Sequence, residues 1–80
     1  MKLNRFYDKL QNIIDELDET IGKLEEKRDK IEENALEKGR DMTEREQERY
    51  DEIEEQIQNI RYCIDNIETA QSDIEEYCDF

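Results

Sequence analysis

Lys38-Gly39-Arg40-Asp41-Met42-Thr43-Glu44-Arg45-Glu46 decides the fold of this chain. Gly39 follows a long run of helix formers and is free to take the left-handed backbone conformation that ends a helix. Thr43 and Glu46 have the spacing of a capping box. The Thr43 hydroxyl accepts from the backbone N–H of Glu46, and the Glu46 carboxylate reaches back to the N–H of Thr43. One helix therefore stops and another starts within a few residues. Helices joined so tightly fold back antiparallel.

On the N-terminal side of this break, Leu3, Leu10, Leu17, Leu24 and Ile31 recur every seven residues and define heptad position a. Phe6 and Ile13 stand at d, followed there by the polar Thr20, Lys27 and Asn34. Tyr7, Ile14, Ile21 and Ala35 fill e, interrupted by Arg28. This pattern predicts an amphipathic helix over about 3–38. Gly22 falls at a solvent-facing f position, where it costs about 1 kcal/mol against alanine. On the C-terminal side, Tyr50, Ile57, Ile64, Gln71 and Cys78 form an a column and Ile53, Ile60, Ile67 and Ile74 a d column. They predict a second helix over about 44–78, with a turn at 39–43.

The expected fold is all-α: residues 1–80 as one antiparallel two-helix coiled-coil hairpin. Opposed residue numbers should add to roughly 81–84. That register sets Ile31 against Tyr50 and Ile53, Leu24 against Ile57 and Ile60, and Leu17 against Ile64 and Ile67. Leu10 then meets Gln71 and Ile74. Gln71 and Thr20 are expected to face the seam as polar groups that fix register. Toward the chain ends each helix offers a third apolar column, more than a simple pair needs. Phe6, Tyr7, Ile13, Ile14, Cys63, Ala70 and Tyr77 are therefore expected to meet a second copy, giving a homodimeric four-helix bundle, or else a different protein.

Composition narrows the function. The chain has 80 residues, 34% hydrophobic and 46% charged, with no proline and two glycines. It carries 25 acids against 12 bases, a net charge of −13. Residues 46–80 hold twelve of the acids and only Arg49 and Arg61, a net of −10. A surface so acidic argues against direct nucleic-acid binding and against an anionic membrane, and toward a Lys/Arg-rich protein partner. No apolar run approaches membrane-spanning length, and Met1 to Lys9 lacks the apolar stretch of a signal peptide. A cytoplasmic protein is expected. Cys63 and Cys78 lie fifteen positions apart on one helix, roughly 22 Å at ~1.5 Å per residue. They cannot bridge within the chain and read as reduced packing residues or as an interchain pair.

No enzyme, cofactor or metal site is expected. Histidine is absent, which removes the usual general base and metal ligand. The Glu-x-x-His pairs of di-iron bundles are missing, as are a Gly-rich phosphate loop and calcium-loop spacing. Glu48, Asp51, Glu52 and Glu55 form a cluster that reads as a solvated face.

The acids of helix 2 are its most distinctive surface. Helix 1 places lysines four residues after acids, Glu19 with Lys23 and Glu26 with Lys30. Helix 2 has no such pair. Its outer columns read Asp51, Asp65 and Asp79 at b, Glu54, Glu68 and Glu75 at e, and Glu48, Glu55 and Glu76 at f. Tyr62, also at f, adds an aromatic anchor among them. Ten net charges over ~52 Å make about one per 5 Å, against one per ~1.7 Å in duplex DNA. In charge, size and helicity the chain resembles the small acidic all-helical inhibitors of phages and mobile elements. These occupy the nucleic-acid channels of restriction or CRISPR nucleases. No motif is shared, and the Trp-x-Gly turn of the secreted hundred-residue hairpin family is absent. The resemblance implies a nucleic-acid mimic blocking the basic groove of a nucleic-acid-binding enzyme. The alternative is a coiled-coil scaffold or assembly factor working through its apolar end.

Overall fold

A computed structural model describes residues 4–77 of the chain. Two α-helices, α1 (Asn4–Glu37) and α2 (Glu44–Tyr77), pack antiparallel along their whole length. They form a rod of 60 × 15 × 12 Å. Expected positions Leu3, Cys78 and Asp79 lie outside the described residues.

The reversal is built as its residues dictate. Gly39 has φ 65°, the left-handed conformation that a Cβ opposes. The Gly39 N–H donates to the Leu36 carbonyl at 3.0 Å and the Arg40 N–H to the Ala35 carbonyl at 3.1 Å. These two bonds make a Schellman motif and satisfy carbonyls that the helix end would orphan. The capping box follows at once. The Glu46 N–H donates to the Thr43 hydroxyl at 3.1 Å, and the Thr43 N–H donates to the Glu46 carboxylate at 2.9 Å. Arg40 adds a guanidinium 2.7 Å from the same carboxylate. Arg40, and then the Thr43 backbone, hold the Glu46 carboxyl down at about 2.

The register agrees with expectation. Arg28 pairs with Glu54 and Gln71 with Gln11, and in both pairs the residue numbers add to 82. The centre of the seam is shifted on α1, however. Its most buried residues are Ile14, Ile21 and Ala35 at e, and Ile14 and Ile21 pack with Ile57 and Ile64 of α2. The a residues Leu17 and Leu24 flank that core, as do Ile53, Ile60 and Ile67. The d column turns outward: Phe6 is 42% and Ile13 43% exposed. Three apolar columns cannot all face one partner helix, and α1 turns a and e toward α2 and leaves d at the margin.

This shift relocates several side chains. Thr20 is exposed and its hydroxyl donates back to the Glu16 carbonyl at 3.0 Å, so it fixes no register. Gln71 does face the seam, 5% exposed. Its amide donates to the Tyr7 carbonyl at 3.2 Å and to the Gln11 side chain at 3.1 Å. Arg28, read from the sequence as a break in column e, is an ion-pair node. Its guanidinium lies 2.6 Å from Glu54 and 3.1 Å from Asp29.

Two glycine substitutions should move stability in opposite directions. Gly39→Ala puts a Cβ at positive φ and is expected to cost about 1–2 kcal/mol. Gly22→Ala meets nothing within 4 Å and removes backbone freedom inside a helix, a gain of about 1 kcal/mol. Thermal melts followed by circular dichroism check both signs.

The capping box also makes a pH prediction. A carboxyl depressed in the folded state contributes stability that is complete above its ordinary value and fades as pH falls toward the folded value. The melting temperature of the wild type should exceed that of Glu46→Gln by a constant amount above pH 4.5. The difference should shrink as pH falls toward about 2. A difference that stays constant through that window would contradict the assigned role of Glu46.

Candidate protein-binding surfaces

The polar contacts between the helices lie on one edge of the seam and establish the two sides of the rod. Arg28 and Glu25 of α1 meet Glu54 and Arg61 of α2 there, with Arg61 3.5 Å from Glu25. Gln11 and Gln71 continue the same edge. Column e of α2 and column b of α1 therefore line this edge. Columns a and d of α1, with d and g of α2, line the other.

The first side is acidic. Glu48, Asp51, Glu55, Asp65, Glu68 and Glu76 are all exposed. Among the described residues none of the six has a cation within 4 Å. Asp51 accepts from the Gln47 amide, at 2.9 Å. Tyr62 stands among these acids, 68% exposed. Two expected members of the ridge sit differently. Glu54 is half-buried and spent on Arg28, whose guanidinium is held above its ordinary value by Glu54 and Asp29. Glu75 is exposed but adjoins Tyr7, whose hydroxyl its charge pushes above the usual tyrosine range, with burial adding to the shift. Column e faces the seam more closely than b and f, and Glu54 and Glu75 meet α1 there, whereas Glu68 of the same column stays exposed.

The expected lysine support of α1 is not formed. The described ion pairs use arginine only: Arg28, Arg40 and Arg61. Flexible exposed lysines gain little from holding one geometry, whereas a guanidinium fork on a half-buried seam is fixed by packing. Arg28 was legible in the sequence after all, because the hairpin register places it opposite Glu54.

The second side is apolar. Leu10, Leu17, Leu24 and Ile31 of α1 and Ile53, Ile60, Ile67 and Ile74 of α2 are each half-buried along it. Phe6, Ile13 and Tyr77 project from the end distant from the turn, with Tyr77 70% exposed. Ala70 is half-buried there, and Cys63 is exposed with a free thiol. The Phe6 ring is flanked by Arg5 at 5.3 Å and Lys9 at 5.8 Å, within cation–π range. Two of the residues expected here belong elsewhere. Ile14, 5% exposed, is core between α1 and α2, and half-buried Tyr7 lies at the seam. Both stand at e, the column that α1 turns toward its own partner helix.

Among the described residues no three carboxylates or thiols converge as a metal cage. No helix of the described residues is long and apolar enough to cross a membrane. What the arrangement offers is two opposed surfaces, one charged and one apolar, on a straight rod. Comparison with protein-family models, with curated proteins and with solved structures finds no match.

Proposed function

We propose that this chain is a non-catalytic, acidic protein-binding module of the cytoplasm that docks on a Lys/Arg-lined surface. The more specific form of this reading is a phage or mobile-element inhibitor. It would imitate nucleic-acid charge and block the basic groove of a nuclease, in the anti-restriction or anti-CRISPR manner. The observation that carries it is the row of uncompensated acids on α2. Glu48, Asp51, Glu55, Asp65, Glu68 and Glu76 stay solvent-exposed after the hairpin has closed. Like charges so close cost a few tenths of a kcal/mol per pair on a helix, a cost that packing alone does not require. Tyr62 supplies an exposed ring that can stack on an arginine or lysine of the target.

The apolar side favours a second element of the same reading. Two hairpins join through it as a four-helix bundle. If the acidic ridge has no target, this pairing leaves the scaffold or assembly-factor function as the working one.

Ionic strength separates the two. Capture of a basic nucleic-acid-binding enzyme should weaken steeply as salt rises, because exposed charge pairs are screened within ~8–10 Å. Reversing Asp51, Asp65 and Glu68 to lysine should abolish capture while leaving the helical melt intact, since all three are exposed. Capture that is indifferent to salt and survives the triple reversal would leave the scaffold reading alone.

A further inference from the structure

We infer that two copies pair through the apolar side in one arrangement, with both turns at the same end of the bundle and the two-fold axis along the rod. The inference rests on the proposed pairing and adds its geometry.

The first support is the distribution of charge. Between Phe6 and Tyr77, columns a and d of α1 and d and g of α2 hold one carboxylate, Glu46, which the Thr43 amide and Arg40 engage at the turn, in a chain with 25 acids. A free surface of this chain would not be expected to exclude acids, whereas a surface meeting another copy at −13 must. Size agrees. A side of 60 × 15 Å is on the order of 900 Å², compared with ~800 Å² per partner in a stable interface.

The orientation follows from the register. With the two-fold along the rod, heights are unchanged, so α1 of one copy lies over α2 of the other at residue numbers adding to 82 or 83. Phe6 then meets the partner's Tyr77, and Ile13 the partner's Ala70. Thr20 meets the partner's Cys63, and Lys27 the partner's Gln56. On the outer rim Lys9 lies by the partner's Asp73 and Lys30 by the partner's Glu52. No like charges face each other. The opposite arrangement, with turns at opposite ends, stacks α1 on α1 and α2 on α2. It sets Lys9 against the partner's Lys30, Glu52 against the partner's Asp73 and Ile13 against the partner's Lys27. It also lays the exposed Phe6 on the partner's Asn34. Charge and apolar matching both select the same-end form.

Disulfide trapping tests this arrangement, and sedimentation tests the pairing beneath it. The wild-type chain should sediment as two chains; a single chain overturns both. In a Cys78→Ala background, Thr20→Cys should oxidise with the partner's Cys63 to a covalent dimer. Thr20 is exposed and outside the core, so the substitution spares the hairpin. Cys78→Ala alone should give no covalent dimer, because the two Cys63 thiols then sit on diagonal helices. A dimer linked through Cys63 alone, or one that Thr20→Cys fails to trap, overturns the arrangement and leaves the pairing standing. A charge swap provides an independent reading. Lys9→Glu should weaken the dimer on the order of two- to fivefold per pair, and adding Asp73→Lys should restore it. A loss without restoration overturns the arrangement.

Discussion

The reversal at residues 38–43 constrains everything else in this molecule. With a single pair of helices, every interhelical layer takes its height from that turn. Gly39 at positive φ aims the chain back, and the Schellman bonds stop α1 at a defined carbonyl. The Thr43–Glu46 box starts α2 at a defined amide. Few residues between those two stops can absorb an error. A slip of one position would rotate Ile57 and Ile64 off Ile14 and Ile21 and expose the small core that exists. Arg40 braces the turn from outside by joining the end of one motif to the acid of the next.

Along the seam, polar contacts refine what the turn sets. Ile57, 1% exposed, is the least exposed side chain among the described residues. Further from the turn, Gln71 follows Ile57 and Ile64 in the same heptad column. It reaches both the Tyr7 carbonyl and Gln11. A buried amide with its donors satisfied tolerates few alternative registers, since any slip would strand it. Arg28 does similar work nearer the turn with a charge in place of an amide.

Much of this was legible in the sequence, for a physical reason. Helix ends are local chemistry, and the glycine and capping box are read directly from residue types and spacing. The register followed, because a short turn leaves one way to align two heptad patterns. The rotation of α1 about its own axis was not legible. Columns a, d and e are all apolar near the N-terminus, so periodicity alone cannot say which pair faces inward. The answer came from the rest of the helix, where d carries Thr20, Lys27 and Asn34 and only a and e stay largely apolar. That rotation moved Ile14 and Tyr7 into the hairpin's own seam and left Ile13 and Phe6 outside. Exposure of the α2 acids at b and f followed from the wheel, but Glu54 at e needed the position of Arg28 to be understood.

The geometry of the hairpin also orders its assembly in time. Each contact between the helices closes a loop whose length depends on its distance from the turn. Arg28 to Glu54 spans 26 residues, Glu25 to Arg61 spans 36, and Gln11 to Gln71 spans 60. Closure entropy rises with loop length, by about 0.6 kcal/mol per doubling. Once the layers next to the turn are in place, however, each further layer needs only a short additional segment to be fixed. The seam therefore zips from the turn outward, in order of rising sequence separation. Its last step brings Phe6 and Tyr77 to the same end. The part of the rod with the most exposed apolar surface is thus also the part whose intrachain contacts form latest.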